Sequence, residues 1–207
     1  MSIITKIEEQ KNKKRVNIFV DNAFFCGLNK ETAVIFGLKT GKSVDEETLK
    51  TAVFESEVKS AFDKASDYLG LRMHTKKELF EKLLKKNYEK PVIEKAIEKL
   101  EEYRYVDDLM FAKQFVVENS KYSKKVLDGK LRQKGVNPDV IESVLQNIED
   151  EDEFELCKKY AEKYSKGKDF NDKKNVEKLM ASLLRRGFSF EMIKKATKTI
   201  VLDDDFN

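Results

Sequence analysis

Apolar positions recur along the chain in one pattern written three times. With Asn87, Gly135 and Gly187 as anchors, Leu79, Leu127 and Leu179 stand eight residues before, and Leu83, Leu131 and Leu183 stand four before. One residue after come Tyr88, Val136 and Phe188; six after, Ile93, Ile141 and Ile193; nine after, Ala96, Val144 and Ala196; thirteen after, Leu100, Ile148 and Ile200. Apolar positions held in phase at a period of about 50 residues mark an internal repeat. Leucines four apart draw one apolar stripe on a helix, and the later set draws a second. The anchor ends the first helix, because glycine enters the left-handed C-cap conformation without a Cβ penalty and asparagine is next best. Asn137 and Ser189 then serve as N-caps, with Pro138 at a first helical position. Thr75 and Ser123 open the preceding helices, and Thr75 with Glu78 has capping-box spacing. Upstream, Ala65 with Tyr68, Ala112 with Phe115 and Ala161 with Tyr164 mark a third helix in each unit. The leucines and isoleucines at these positions are expected to pack in cores.

Residues 3–28 follow a different period. Thr5 and Ile7, then Val16, Ile18 and Val20, then Phe24, Cys26 and Leu28 alternate with other residues, with breaks at 11–14 and at Asp21-Asn22. That pattern predicts a small antiparallel meander, which needs a packing partner. A short helix over 29–36 ends at Gly37. Asp45-Glu46-Glu47 opens a helix to about Val53, and a second helix runs from Glu55 to Leu71. His74 is expected to be an exposed residue of the joint at 71–75. Tyr103 and Tyr105 are expected to pack between repeats, Asp107 and Asp108 to cap and charge the next helix, and Glu149–Glu155 to form an acidic first turn and solvated face. Asp203-Asp204-Asp205 reads as a frayed acidic tail. The predicted divisions are 1–54, 55–106, 107–149 and 150–207. The predicted fold is mainly all-α: three tandem three-helix repeats forming an elongated curved body, with a small N-terminal β-hairpin or meander.

Composition supports modules over one large globule, since 40% of residues are hydrophobic and 38% charged. No 18-residue apolar span and no basic leader are present in the sequence, so a cytoplasmic protein without a membrane role is expected. Candidate chemistry is sparse. His74 is the only histidine, which excludes a multi-histidine metal site and a His-based dyad. Cys26 and Cys157 form no CxxC or Cys/His cluster, so neither a disulfide nor a metal is expected. The TGKS at 40–43 lacks the first glycine of a phosphate loop and its strand-to-helix context. No catalytic, cofactor or metal site follows, and an enzyme is the least favoured class.

Net charge is only +3, but it is unevenly spread. Arg72–Lys90 carries seven Lys/Arg against three acids, Lys121–Gly135 six against one, and Lys166–Arg186 seven against three, whereas Asn137–Glu153 carries seven acids and no base. Lys76/Lys124, Lys77/Lys125, Lys82/Lys130 and Lys86/Lys134 occupy equivalent repeat positions. The candidate partner- or DNA-binding set is Arg72, Lys76, Lys77, Lys82, Lys85, Lys86, Lys124, Lys125, Lys130, Arg132, Lys134, Arg185 and Arg186. Three readings compete. The set reads as a docking surface, as a helix-turn-helix-like DNA binder whose lysines suit phosphate better than bases, or as the solvated face of a scaffold.

The chain resembles the RecX family, bacterial regulators of the RecA recombinase. The likeness rests on Arg72-x-x-Thr75-x-x-Glu78-Leu79, Leu83 with Lys86-Asn87-Tyr88, Tyr105-Val106-Asp107-Asp108-x-x-Phe111-Ala112, and Leu131-x-x-Lys134-Gly135-Val136 with Ile141. The segment RVNIFVDNAFFCGL is similar to the N-terminal hairpin of the longer members. Asn87 stands where the family often has glycine. The resemblance implies a protein that binds RecA–DNA filaments and restrains ATP hydrolysis, strand exchange and repressor cleavage; a non-enzymatic monomer is expected, with single- or double-stranded DNA as a further partner through the basic helices.

Overall fold

The alternating N-terminal segment folds as an antiparallel sheet of β1 (Ser2–Glu9), β2 (Arg15–Val20), β3 (Ala23–Asn29) and the short β4 (Ser43–Val44), in the order β3-β2-β1-β4. This computed structural model describes residues 2–170 and 172–204. Asp21 and Asn22 have φ of 48° and 67°, the paired left-handed residues of a tight hairpin turn. The TGKS segment joins the sheet edge: Gly41 donates its N–H to the Ile4 carbonyl at 2.8 Å, and Ser43-Val44 is β4.

Two bulges change the expected alternation. The first, between Ile4 and Lys6, lets both Ile4 and Ile7 pack inward. Thr5 stays at the bulge, where its hydroxyl donates to the Phe19 carbonyl and accepts from the Asn22 N–H. The second makes Ile18 pair with Cys26 and Phe19 with Phe24, which leaves Phe25 as the extra residue of β3. Leu28 is therefore buried as expected, but Phe24 is turned out and is 60% exposed.

The inner face of the sheet packs Ile4, Val16, Ile18 and Leu28 against Ala33 of α1 (Lys30–Ile35) and against Leu49 and Ala52 of α2 (Glu46–Leu69). Asp45 caps α2 by accepting the Thr48 N–H at 2.7 Å. The two helices expected over 45–71 are one. Nothing between Val53 and Glu55 stops a helix, since neither glycine nor proline stands there, and Ser56 is buried with its hydroxyl accepting the Asn29 N–H at 2.7 Å. One face of α2 thereby serves two cores, with Val58, Ala61 and Ala65 entering the first repeat.

The repeats are helical as the periodicity requires. The first is completed by α3 (Lys76–Leu84) and α4 (Lys90–Glu102). The second comprises α5 (Asp108–Glu118), α6 (Lys124–Gln133) and α7 (Pro138–Leu145). The third comprises α8 (Asp150–Ser165), α9 (Lys173–Arg185) and α10 (Phe190–Asp204). Asp203 and Asp204 are thus helical, and Asp205 lies outside the described residues. Each repeat has its own core: Leu79, Leu83 and Ile93; Leu127, Leu131 and Ile141; Leu179, Leu183 and Ile193. A fully buried leucine or isoleucine contributes about 1.5–3 kcal/mol relative to exposure. The anchors Asn87, Gly135 and Gly187 have φ of 63°, 81° and 86°. Thr75 and Ser123 cap α3 and α6 through the Glu78 and Val126 N–H groups, and Asn137 caps α7. By contact, the chain divides into two units, with the boundary in sequence between Asp107 and Asp108.

Three local expectations are corrected. His74 is buried rather than exposed, because the joint folds back and its Nδ1 lies 2.9 Å from the Arg72 carbonyl. Tyr103 and Tyr105 remain 64% and 59% exposed and pack edgewise or tilted on Phe62 of their own unit. Glu153 is not part of a solvated face: it is buried, and its carboxylate accepts the Lys124 N–H at 2.8 Å.

Candidate functional site

Helices α3 and α6 each begin with paired lysines and end among further basic residues, so the local fold sets two environments. A cation in a first turn faces the positive end of the helix dipole, and neighbouring acids offset this. Lys76 Nζ lies 2.8 Å from Glu101, Lys77 Nζ 3.9 Å from Glu81, and Arg72 Nη1 3.0 Å from Glu78. Lys124 Nζ lies 2.7 Å from Asp150. Pairs as exposed as these contribute about 0–1 kcal/mol each.

At the other ends the dipole favours cations. Lys82, Lys130, Arg132 and Arg185 occupy the last turns of α3, α6 and α9, and Lys86, Lys134 and Arg186 immediately precede the anchors. Each such placement is worth about 0.3–1 kcal/mol, so part of the repeated basic pattern has a reason within the fold itself.

Several of these cations also lie over aromatic rings. Lys82 Nζ is 4.6 Å from the centre of Tyr68, and Lys130 Nζ 4.7 Å from the centre of Tyr122. Lys134 Nζ lies 5.4 Å from Phe111, and the Arg186 guanidinium 4.1 Å from Tyr160. Phe111 and Tyr160 stand one residue before Ala112 and Ala161, so the contact repeats between the second and third units. Lys64 fills that place in the first unit, which leaves Lys86 exposed. Sequence reasoning missed these ring partners, although the aromatics just before Ala112 and Ala161 carried the signal for two of them.

The thirteen residues do not form one cluster of equal members. Lys82 and Lys130 lie in the last turns of α3 and α6, and Lys86 and Lys134 follow four residues later, just past the helix ends. Lys85, Lys86, Lys125 and Arg185 are exposed and, among the described residues, pair with no acid. Arg132 Nε is held by Asp128 at 2.8 Å. Between the second and third repeats, both in the compact unit that follows Asp107, the end of α9 meets the start of α6. The Ser123 hydroxyl donates to the Arg186 carbonyl at 2.7 Å, and a Cβ on Gly187 would lie 3.3 Å from the Lys125 Cβ. This contact brings Lys124 and Lys125 beside Arg185 and Arg186. Such a surface suits phosphate or a carboxylate-rich protein face.

Other chemistry has little to work with. Burial pushes the Cys26 thiol up to about 11, against the lowering effect of Arg15, and pushes Cys157 up to about 11 with Glu153 adding to it. Both are protonated at neutral pH and poor nucleophiles. Among the described residues, no group of three or more His, Cys, Asp or Glu could hold a metal ion, and no helix is long and apolar enough to cross a membrane.

Comparison with known proteins matches three parts of the chain to domain families. Residues 2–45 match the regulatory protein RecX N-terminal domain, 61–100 the first three-helix domain of RecX, and 150–197 the third. The regulatory protein RecX of Bacillus pumilus (strain SAFR-032) is 38% identical over 201 residues, covering 95% of this chain and 76% of its own. That of Clostridioides difficile (strain 630) is 33% identical over 212 residues and is covered in full, as is this chain. A crystal structure of regulatory protein RecX superposes with a TM-score of 0.74 at 26% identity, over 94% of this chain and 100% of that one.

Proposed function

The chain belongs to the RecX family of regulatory proteins, and from that premise we propose that it binds filaments of the RecA recombinase on DNA and modulates them. Modulation is mainly inhibition, of ATP hydrolysis, strand exchange and repressor cleavage, in recombination and the SOS response. It acts in the cytoplasm as a monomer and without catalysis. The division at 1–54, 55–106, 107–149 and 150–207 is part of this reading, with one sheet module and three helical units presenting cations to one polymer.

The observation that carries it is the combination of three separately cored repeats with basic residues in matched register on α3 and α6. Contacts of that kind engage acidic protein surface or phosphate, and both weaken as salt rises. The decisive assay is DNA-dependent ATP hydrolysis by the host's own recombinase. Substoichiometric protein is expected to suppress it at low salt; no effect on rate, assembly or disassembly would refute the proposal. Sequence-independent DNA binding through the same lysines is the alternative. Its supporting observation is the patch of Lys124, Lys125, Arg185 and Arg186 described above, and tight duplex binding without recombinase would favour it.

A further inference from the structure

The sheet has a second face that the core does not use. The pairing Lys6↔Phe19↔Phe24 places one cation and two rings in a row across β1, β2 and β3, opposite the buried row of Ile18 and Val20. Phe19 and Phe24 meet edge to face at 5.8 Å, and Lys6 Nζ sits 5.5 Å from the Phe19 ring. Phe24 gains its exposure from the bulge at Phe25, and with Phe19 it makes an aromatic patch rimmed by polar residues, the mark of an interaction surface.

The rows beside the rings are polar. Asn17 and Gly27 form the next pair, and Gln10 donates from Nε2 to the Asn17 side-chain oxygen at 2.7 Å. Gly27 makes room for this amide, since a Cβ there would stand 2.6 Å from Gln10 Nε2. Arg15 follows, half-buried and donating from Nη2 to the Gly27 carbonyl at 3.0 Å. Arg15 lies about 14 Å from Phe19, at four residues of about 3.4 Å each. The Lys11–Lys14 loop extends the positive end. Lys13 and Lys14 border a cleft whose acids Glu31, Asp63 and Asp67 already pair with Lys59 and Lys64. Glu8, the acid of this face, is paired with Lys6 at 3.1 Å.

We infer that this open face is a stacking platform for single-stranded nucleic acid. Unpaired bases stack on Phe24 and Phe19, base edges meet the Gln10 and Asn17 amides, and phosphates lie toward Lys6, Arg15 and the loop. Unstacked bases on sheet aromatics with cations alongside are a general solution for single strands, whereas a duplex hides its base faces. The charge is complementary to phosphate, and the amides and cations beside the rings fit a nucleotide better than an apolar protein segment.

The test uses the full chain, a labelled oligo-dT strand, and a duplex of equal length. Because the chain has no tryptophan, Phe24→Trp introduces a single reporter ring. Its fluorescence is expected to be quenched by the single strand and much less by the duplex, with affinity for the strand retained. Phe24→Ala, an exposed change that leaves circular dichroism intact, is expected to weaken single-strand binding about tenfold. Unquenched Trp in a protein that binds the strand, equal affinities for wild type and Phe24→Ala, or no binding by wild type each overturns the inference. The assay contains no recombinase, so this result and that of the ATPase assay stand or fall separately.

Discussion

His74 is the residue at which burial and charge are most directly opposed. Its ring is 4% exposed, tilted against Tyr68, and burial holds its pKa below the ordinary 6.5. The Arg72 carbonyl beside Nδ1 and the Glu78 carboxylate pull the other way, while the Arg72 and Lys82 charges add to the lowering. A base whose folded pKa is depressed stabilises the fold fully above its unfolded value and loses that contribution as the pH falls through the folded one. The melting temperature should therefore begin to decline as the pH drops below about 6.5. In His74→Gln that part of the decline should be absent; parallel curves for the two proteins across this window would show that His74 carries no such linkage. The sequence left this residue as a joint position because nothing in Leu71–Thr75 signals that the segment folds back. Leu79, Leu131 and Ile193 were legible, by contrast, because helical spacing alone fixes which side of a helix they occupy.

Among the elements, α2 is the one whose form departs most from expectation. Acids at Asp45–Glu47 mark its start correctly, but the change of core between Ala52 and Val58 looks in sequence like a change of helix. Continuity makes a distinguishable prediction at the exposed Glu57. Were a helix to start at Glu55, proline at 57 would sit in its first turn and be tolerated. In the interior of a 24-residue helix, Glu57→Pro removes a hydrogen bond and clashes with the preceding turn, at about 3 kcal/mol or more. Urea unfolding should register that loss, and a change under about 1 kcal/mol would argue for two helices. Bulges were invisible for a related reason. Pairing register depends on partners across the sheet, so the turning-out of Phe24 is set by β2 and not by the period of β3.

For the molecule as a whole, the small net charge conceals basic clusters that the repeat places in phase. Position in phase was readable from sequence; what each cation touches was not, since rings and acids that are distant in sequence decide it. Lys82, Lys130 and Lys134 rest over aromatic faces, whereas Lys86 does not. Reversing Lys82, Lys86, Lys130 and Lys134 together to glutamate should abolish association with the recombinase filament while helicity by circular dichroism stays as in wild type. Unchanged association, measured by co-sedimentation at low salt, would mean that these lysines serve helix ends and rings alone.

The hydroxyl of Ser123 has a wider reach than its size implies. It accepts an N–H of its own helix at one repeat and donates to the closing carbonyl of α9 in the next, while Glu153 of α8 accepts the N–H of Lys124. Neither of these two repeats can lose its order without stripping the other of partners for buried polar groups. The last hundred residues should accordingly melt as one cooperative block, and a boundary cut between 149 and 150 would damage both of the pieces it was meant to separate.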